Sequence, residues 1–144
     1  MQILIVGGTS SVAQALKPVL AGFAEVITAG RAGSDVYLDL SDPMEKVELP
    51  QGIDTVINTA AQFGGEGFAG MLETENVNVL GALKLCQACT AARVKHLVHV
   101  SSISAYLATT SDYYGIYALS KKQSDEVVQL FCSAFNLPCT ILRP

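Results

Sequence analysis

Short apolar runs recur along the chain, each followed by a longer stretch in which apolar residues return at helical spacing. The runs at residues 2–6, 24–28, 36–38, 53–58, 96–101 and 139–143 predict strands. Most are continuously apolar, as in "LIV", "TVI" and "LVHV", which is the pattern of strands buried on both faces of a parallel sheet. Helical spacing covers residues 11–21, 41–47, 69–92 and 113–136, with Pro18 kinking or shortening the first of these. In the last, Val127, Leu130, Phe131, Ala134 and Phe135 follow the i, i+3, i+4, i+7, i+8 rule and are predicted to form its buried face. No repeat, linker or low-complexity tract interrupts the alternation. Right-handed crossovers between parallel strands then predict one α/β domain over residues 1–144, a doubly wound sheet of the Rossmann type. Its ligand crevice is expected at the carboxyl ends of the strands, with strand one at the switch point.

Composition narrows the partners. Of 144 residues 50% are hydrophobic, enough for one core. The net charge is −4 and no basic cluster exceeds Lys121–Lys122, so the footprint of a nucleic-acid binder is missing. No run approaches the ~20 apolar residues that span a bilayer, so no membrane partner is expected and the location is expected to be cytoplasmic. Cys86 and Cys89 form a C-x-x-C, but no second ligand pair follows at metal spacing. They fall on an apolar stripe with Val79, Ala82 and Leu83 and read as core thiols, as do Cys132 and Cys139, all reduced.

The candidate chemistry sits where strands end. "GGTSSVA", residues 7–13, joins the first strand to the first helix, where a dinucleotide loop needs a glycine for the turn, a second for approach of the pyrophosphate and a third for helix packing. Gly7 meets the first demand, Ser10 or Ser11 occupies the second and Ala13 is small enough for the third; the helix N-terminus still offers backbone amides to an anion. Strand two ends in "TAGR", and Arg31 there suits the 2′-phosphate of NADP, with Ser34 as a further hydroxyl, whereas an acidic residue would select NAD. Asp39 of "LDLSD" is expected against the adenine, or Ser41 or Asp42 simply caps the next helix. "YALSK" places Tyr117 and Lys121 one helical turn apart on one face. An ammonium beside a phenol favours the phenolate and makes tyrosine a usable acid or base. "HVSS" closes strand five with hydroxyls that can reach a substrate oxygen. His96 and His99 read as satisfied structural histidines, and "GGEG" at 64–67 as a mobile loop near the cofactor or a flexible turn.

These segments together resemble the short-chain dehydrogenase/reductase superfamily, in its extended group of NAD(P)-dependent epimerases and dehydratases. The resemblance runs in order through the Gly7 loop, "LDLSD", "DTVINTAA", "VNVLGALKL", "HVSSISAY", Tyr-x-x-x-Lys at Tyr117 and "ILRP". It implies that Ser102 polarises the substrate oxygen, that Tyr117 moves the proton, that Lys121 tunes Tyr117 and binds the nicotinamide ribose, and that Asn78 takes the structural and relay role. Counting back from the aromatic of "SSISAY" favours Ser102 over Ser101. Cofactor contacts are expected from Gly7, Thr9, Ser10, Ser11, Val12, Arg31, Asp39, Leu40, Ala60, Ala61, Tyr117 and Lys121.

The implied activity is that of an NAD(P)-dependent oxidoreductase or epimerase acting on a hydroxyl or keto group of a sugar, nucleotide-sugar or similar small molecule, with NADP as cofactor and NAD as the alternative. Ile103 and Ser104 stand where dehydratases of the group carry an acidic pair, which favours epimerisation or carbonyl reduction. Asn58 replaces a frequent histidine and Leu107 a frequent glycine. "ILRP" resembles the start of the family's sixth strand, so the chain is expected to continue into a substrate-binding part and to form a homodimer at full length. The rival reading is a non-catalytic dinucleotide sensor of the same fold. Such sensors commonly lose the tyrosine and lysine that are present here.

Overall fold

The computed structural model describes residues 1–144. Six strands, β1 (Gln2–Val6), β2 (Glu25–Gly30), β3 (Val36–Tyr37), β4 (Thr55–Asn58), β5 (His96–Val100) and β6 (Cys139–Leu142), form one sheet in the order β3-β2-β1-β4-β5-β6. Every pairing is parallel, and β1 lies in register with β2 on one side and β4 on the other. The strand order reverses there, which leaves a crevice above the carboxyl end of β1. The expected doubly wound architecture is present.

The helices are α1 (Ser11–Leu20), α2 (Gly67–Glu75), α3 (Gly81–Ala91) and α4 (Ile116–Phe135). The two sheet faces are covered unequally. Against α3 and α4 lies a cluster of 21 buried residues that includes Leu4, Val56, Leu85, Leu97 and Val128. On the α1 side only Ile3, Ile5, Ala13 and Ile57 are fully buried together.

Four expectations from periodicity are corrected. The helix at 41–47 is a single 3-10 turn, Met44–Lys46, entered from Pro43. The helix at 69–92 is two helices joined by a π-helical turn at Asn76–Leu80, an extra residue per turn that re-aims the side chains after it. Of the two effects expected of Pro18, shortening is not seen, since α1 runs through it to Leu20. The inner face of α4 is not the predicted stripe: Ala118, Ser120, Lys121, Ser124, Asp125, Val128, Phe131 and Cys132 are buried, while Leu130 and Phe135 face outward. Leu83 likewise lies outside the buried stripe of Cys86 and Cys89. No helix is long and apolar enough to cross a membrane.

Candidate active site

The crevice above β1 is a groove of about 430 Å³. Its wall is the turn from β1 into α1. Gly7 adopts φ +82, and a side chain there would strike the backbone of Ala60, so only glycine lets the turn pass this close to β4. Ser10 caps α1 by accepting from the Ala13 amide at 3.1 Å, and the Gln14 amide bonds the Ser10 carbonyl at 3.0 Å. Ser11 and Val12 then carry the first-turn amides that helix geometry leaves open to an anion. The Ser10 hydroxyl itself is spent inside the protein. It lies 2.8 Å from Thr59 Oγ1, whose own proton goes to the Val6 carbonyl, and so ties the loop to β4.

At the other wall, Arg31 projects into solvent with no hydrogen bond or ion pair, and Asp39 sits between the buried side chains of Leu38 and Leu40. Burial pushes the Asp39 carboxyl up, but two hydrogen bonds from Ser41, 2.8 Å from its amide and 2.7 Å from its hydroxyl, with Arg31 and Lys84 nearby, hold it below the usual range. The structure thus lines one groove with Gly7, Thr9, Ser10, Ser11, Val12, Arg31, Asp39, Leu40, Ala60 and Ala61. Thr59, Gln62, Phe63 and Val77 line it too. They went unnoticed in the sequence because they lie in a loop and a π turn, where neither the 2.0 nor the 3.6 period marks an inward residue.

Tyr117 and Lys121 do not line that groove; they lie beyond one end of it on α4. Lys121 is 2% exposed, its ammonium 6.0 Å from the centre of the Tyr117 ring and donating to the Val100 carbonyl at 3.0 Å. Burial pushes the Lys121 amine down to about 8, against the opposing pull of Asp125. Ser102 follows β5 and caps a 3-10 turn, Ile103–Tyr106, that packs on α4; its hydroxyl accepts from the Ser104 amide at 3.1 Å and is half-exposed. Ser101 is buried, and its hydroxyl has no partner. Arg143 ties these elements together, donating to Asp125 at 2.7 Å and lying 5.1 Å from the centre of the Tyr106 ring.

Asn78 sits in the π turn, 4% exposed. Its carbonyl accepts from the Gln62 amide at 2.7 Å, and its amino group donates to the Gln62 carbonyl at 2.8 Å and to Ser120 Oγ at 2.9 Å. Both protons of that amide are used, and it clamps the loop after β4 to α4. His99 is buried between Asn58 at 3.3 Å and Ser124 at 3.1 Å, a satisfied structural histidine as expected; His96 lies nearer the surface, beside Thr140. Burial first, then Lys121 and Arg143, push His99 down to about 4 despite the opposing Asp125. The ring is therefore neutral near pH 7, and its 3.9 Å approach to Asp125 is not an ion pair. Cys86, Cys89 and Cys132 are buried free thiols and Cys139 is partly so; no group of side chains is arranged to hold a metal.

Solved structures share this architecture. A short-chain dehydrogenase/reductase superfamily protein from Agrobacterium tumefaciens with bound NAD is 23% identical, with a TM-score of 0.79 over 99% of this chain and 48% of its own. A UDP-glucuronic acid 4-epimerase from Bacillus cereus in complex with NAD is 18% identical, with a TM-score of 0.81 over 99% and 55%. A dTDP-glucose 4,6-dehydratase from Streptomyces venezuelae with NAD bound is 23% identical, with a TM-score of 0.78 over 99% and 55%. The chain spans about half the length of these proteins, and the likeness is one of fold. No curated protein matches it significantly. The model of the NAD dependent epimerase/dehydratase family matches residues 3–144, and the chain belongs to that family.

Proposed function

We propose that this chain is the dinucleotide-binding part of an NADP-dependent oxidoreductase or epimerase that acts on a hydroxyl or keto group of a sugar or a similar small molecule. The observation that carries the reading is Lys121, buried and charged behind the Tyr117 ring at the end of an open groove. A buried ammonium is costly whatever its role, and Lys121 is held beside Tyr117 by one bond to the Val100 carbonyl; an ammonium beside a phenol favours the phenolate.

The groove fits a dinucleotide. The Gly7 turn packs directly on the Ala60 backbone, and the first-turn amides of Ser11 and Val12 on the groove wall suit a pyrophosphate. The Ser34 hydroxyl is buried without a partner, 2.8 Å from where a side chain on Gly8 or Gly30 would begin, and Arg31 follows directly on Gly30. The unpaired Arg31 guanidinium on the groove wall suits a 2′-phosphate on the adenosine ribose. When bound, the nicotinamide supplies the carbon that accepts or returns hydride. Tyr117 would move the proton of the reacting hydroxyl, Lys121 would hold the phenolate, and Ser102 would donate to the substrate oxygen. Asn78 acts through structure, fixing Gln62 and Ser120. A homodimer is part of the proposal, supported by Leu130 and Phe135, which α4 leaves exposed.

Calorimetry tests the cofactor: NADP⁺ should bind more tightly than NAD⁺, and Arg31→Asp should reverse or erase the difference. Equal affinities, unchanged in the variant, overturn the assignment. Turnover tests the chemistry in a longer protein carrying this chain. Tyr117→Phe should abolish it while leaving cofactor affinity nearly intact, since one hydroxyl is removed. Normal turnover by that variant overturns the role of Tyr117.

A further inference from the structure

One aromatic pair joins the groove to the helix that carries Tyr117. Phe63 lies between β4 and α2, and its ring stacks on that of Tyr117 with centroids 5.3 Å apart and planes at 25°. The same side chain lines the groove and is 78% exposed. A large ring therefore rests one face on Tyr117 and turns the remainder to open space, where covering it would be favourable.

The placement of Phe63 is built into the chain. Asn78 grips both backbone groups of the preceding residue, Gln62, and donates to Ser120 on α4. Ser120 in turn donates to the Tyr117 carbonyl at 2.9 Å. On the other side Gly64 adopts φ +107, a conformation that turns the backbone sharply away after Phe63. The loop and the first turn of α4 are thus linked by a chain of hydrogen bonds, and Phe63 emerges at the link.

We propose that Phe63 is the nicotinamide-end contact of the groove, its exposed face covered by the nicotinamide riboside of a bound dinucleotide while its other face stays on Tyr117. The inference rests on the dinucleotide reading above and extends it to a residue that no motif marks. Arg31, Asp39 and Leu40 mark the adenosine end, so the part of the ligand nearest Tyr117 is the part that reaches Phe63. Occupancy of the groove is then passed through one ring to the side chain that moves the proton. A planar side chain is needed here, because an aliphatic one cannot present a flat face to both neighbours.

The chain has no tryptophan, so Phe63→Trp introduces a single reporter. The variant is titrated with NADP⁺, NAD⁺ and 2′,5′-ADP, which keeps the adenosine end and lacks the nicotinamide riboside, with calorimetry in parallel. The expected result is loss of most of the emission with either dinucleotide, at the midpoint calorimetry gives, and unchanged emission with 2′,5′-ADP although it binds. Phe23→Trp, before β2 at the opposite end of the strands, should stay silent throughout. In unlabelled protein Phe63→Leu should weaken the dinucleotides several-fold and leave 2′,5′-ADP unchanged, and Phe63→Tyr should restore affinity. Calorimetric binding with unmoved emission, or emission moved equally by 2′,5′-ADP, overturns the inference alone. Absence of dinucleotide binding by the unaltered chain overturns the cofactor reading and the inference with it.

Discussion

Helices α3 and α4 pack side by side on the same face of the sheet, yet they bury different chemistry. α3 turns Ala82, Leu85, Cys86, Ala88 and Cys89 inward, an apolar face in which burial and the Cys132 and Cys139 thiols push the Cys89 thiol up to about 12. α4 does this mainly in its second half, with Val128, Phe131 and Cys132, and before them only with Ala118. Its first half buries Ser120, Lys121, Ser124 and Asp125. Each is tied down: Ser120 by Asn78, Lys121 by the Val100 carbonyl, Ser124 by His99 and Asp125 by Arg143. Only Asp125 Oδ1 is left without a bond. α3 contributes burial free energy, whereas the start of α4 gives some up to hold ionisable groups out of water. A scaffold element and a site element are distinguished by what they bury more than by where they lie.

The contrast makes graded predictions. Truncating α3 should cost most: Leu85→Ala opens a cavity in the larger cluster and should lower stability by about 2–5 kcal/mol in denaturant melts. A loss below about 1 kcal/mol would mean that α3 is not the scaffold.

Acid comes next. His99 titrates near 4 in the folded state against about 6.5 unfolded, so the unfolded chain binds the extra proton between those values. Its contribution is complete above about 6.5 and is lost as pH falls through 4, no more than about 3 kcal/mol in all. The stability of a His99→Gln variant should fall less steeply with acid across that window. An equal slope would remove His99 from the account.

Lys121 is displaced in the same direction as His99, so stability again rises with pH, but over an alkaline window. Its folded value of about 8 lies below the ordinary 10.5, so at pH 7 the buried charge is a penalty that is relieved as pH rises from 8 to 10.5. Lys121→Met should raise stability at pH 7 by on the order of 2 kcal/mol, and the gain should shrink over that alkaline range. A loss at pH 7 would show that the bond to Val100 outweighs desolvation. Least affected should be an exposed polar position of α4: Glu126→Ala should stay within about 0.5 kcal/mol by the same melts.

The sequence was sufficient for the alternation of strand and helix, the parallel sheet and strand one at the switch point. Those follow from local patterns, since a continuously apolar run such as Ile3–Val6 has one stable placement, between two helical layers. Gly7, Arg31, Tyr117 and Lys121 were legible for a related reason: a turn, a strand end and a one-turn spacing are local geometry. The break between α2 and α3 was not legible, because Asn76–Leu80 holds no glycine or proline to mark it, and the turn widens where Asn78 bonds the Gln62 backbone, 16 residues away. The inner face of α4 was misread because hydropathy ranks Val127 and Leu130 above Lys121 and Asp125. That ranking is reversed only when Val100, Asn78, His99 and Arg143 are in place to bond the polar groups. The pairing of Phe63 with Tyr117 joins positions 54 residues apart in the chain and belongs wholly to the tertiary structure. Periodicity reports which residues water rejects one at a time, whereas burial of a charge or the stacking of two distant rings depends on partners that only the folded chain assembles.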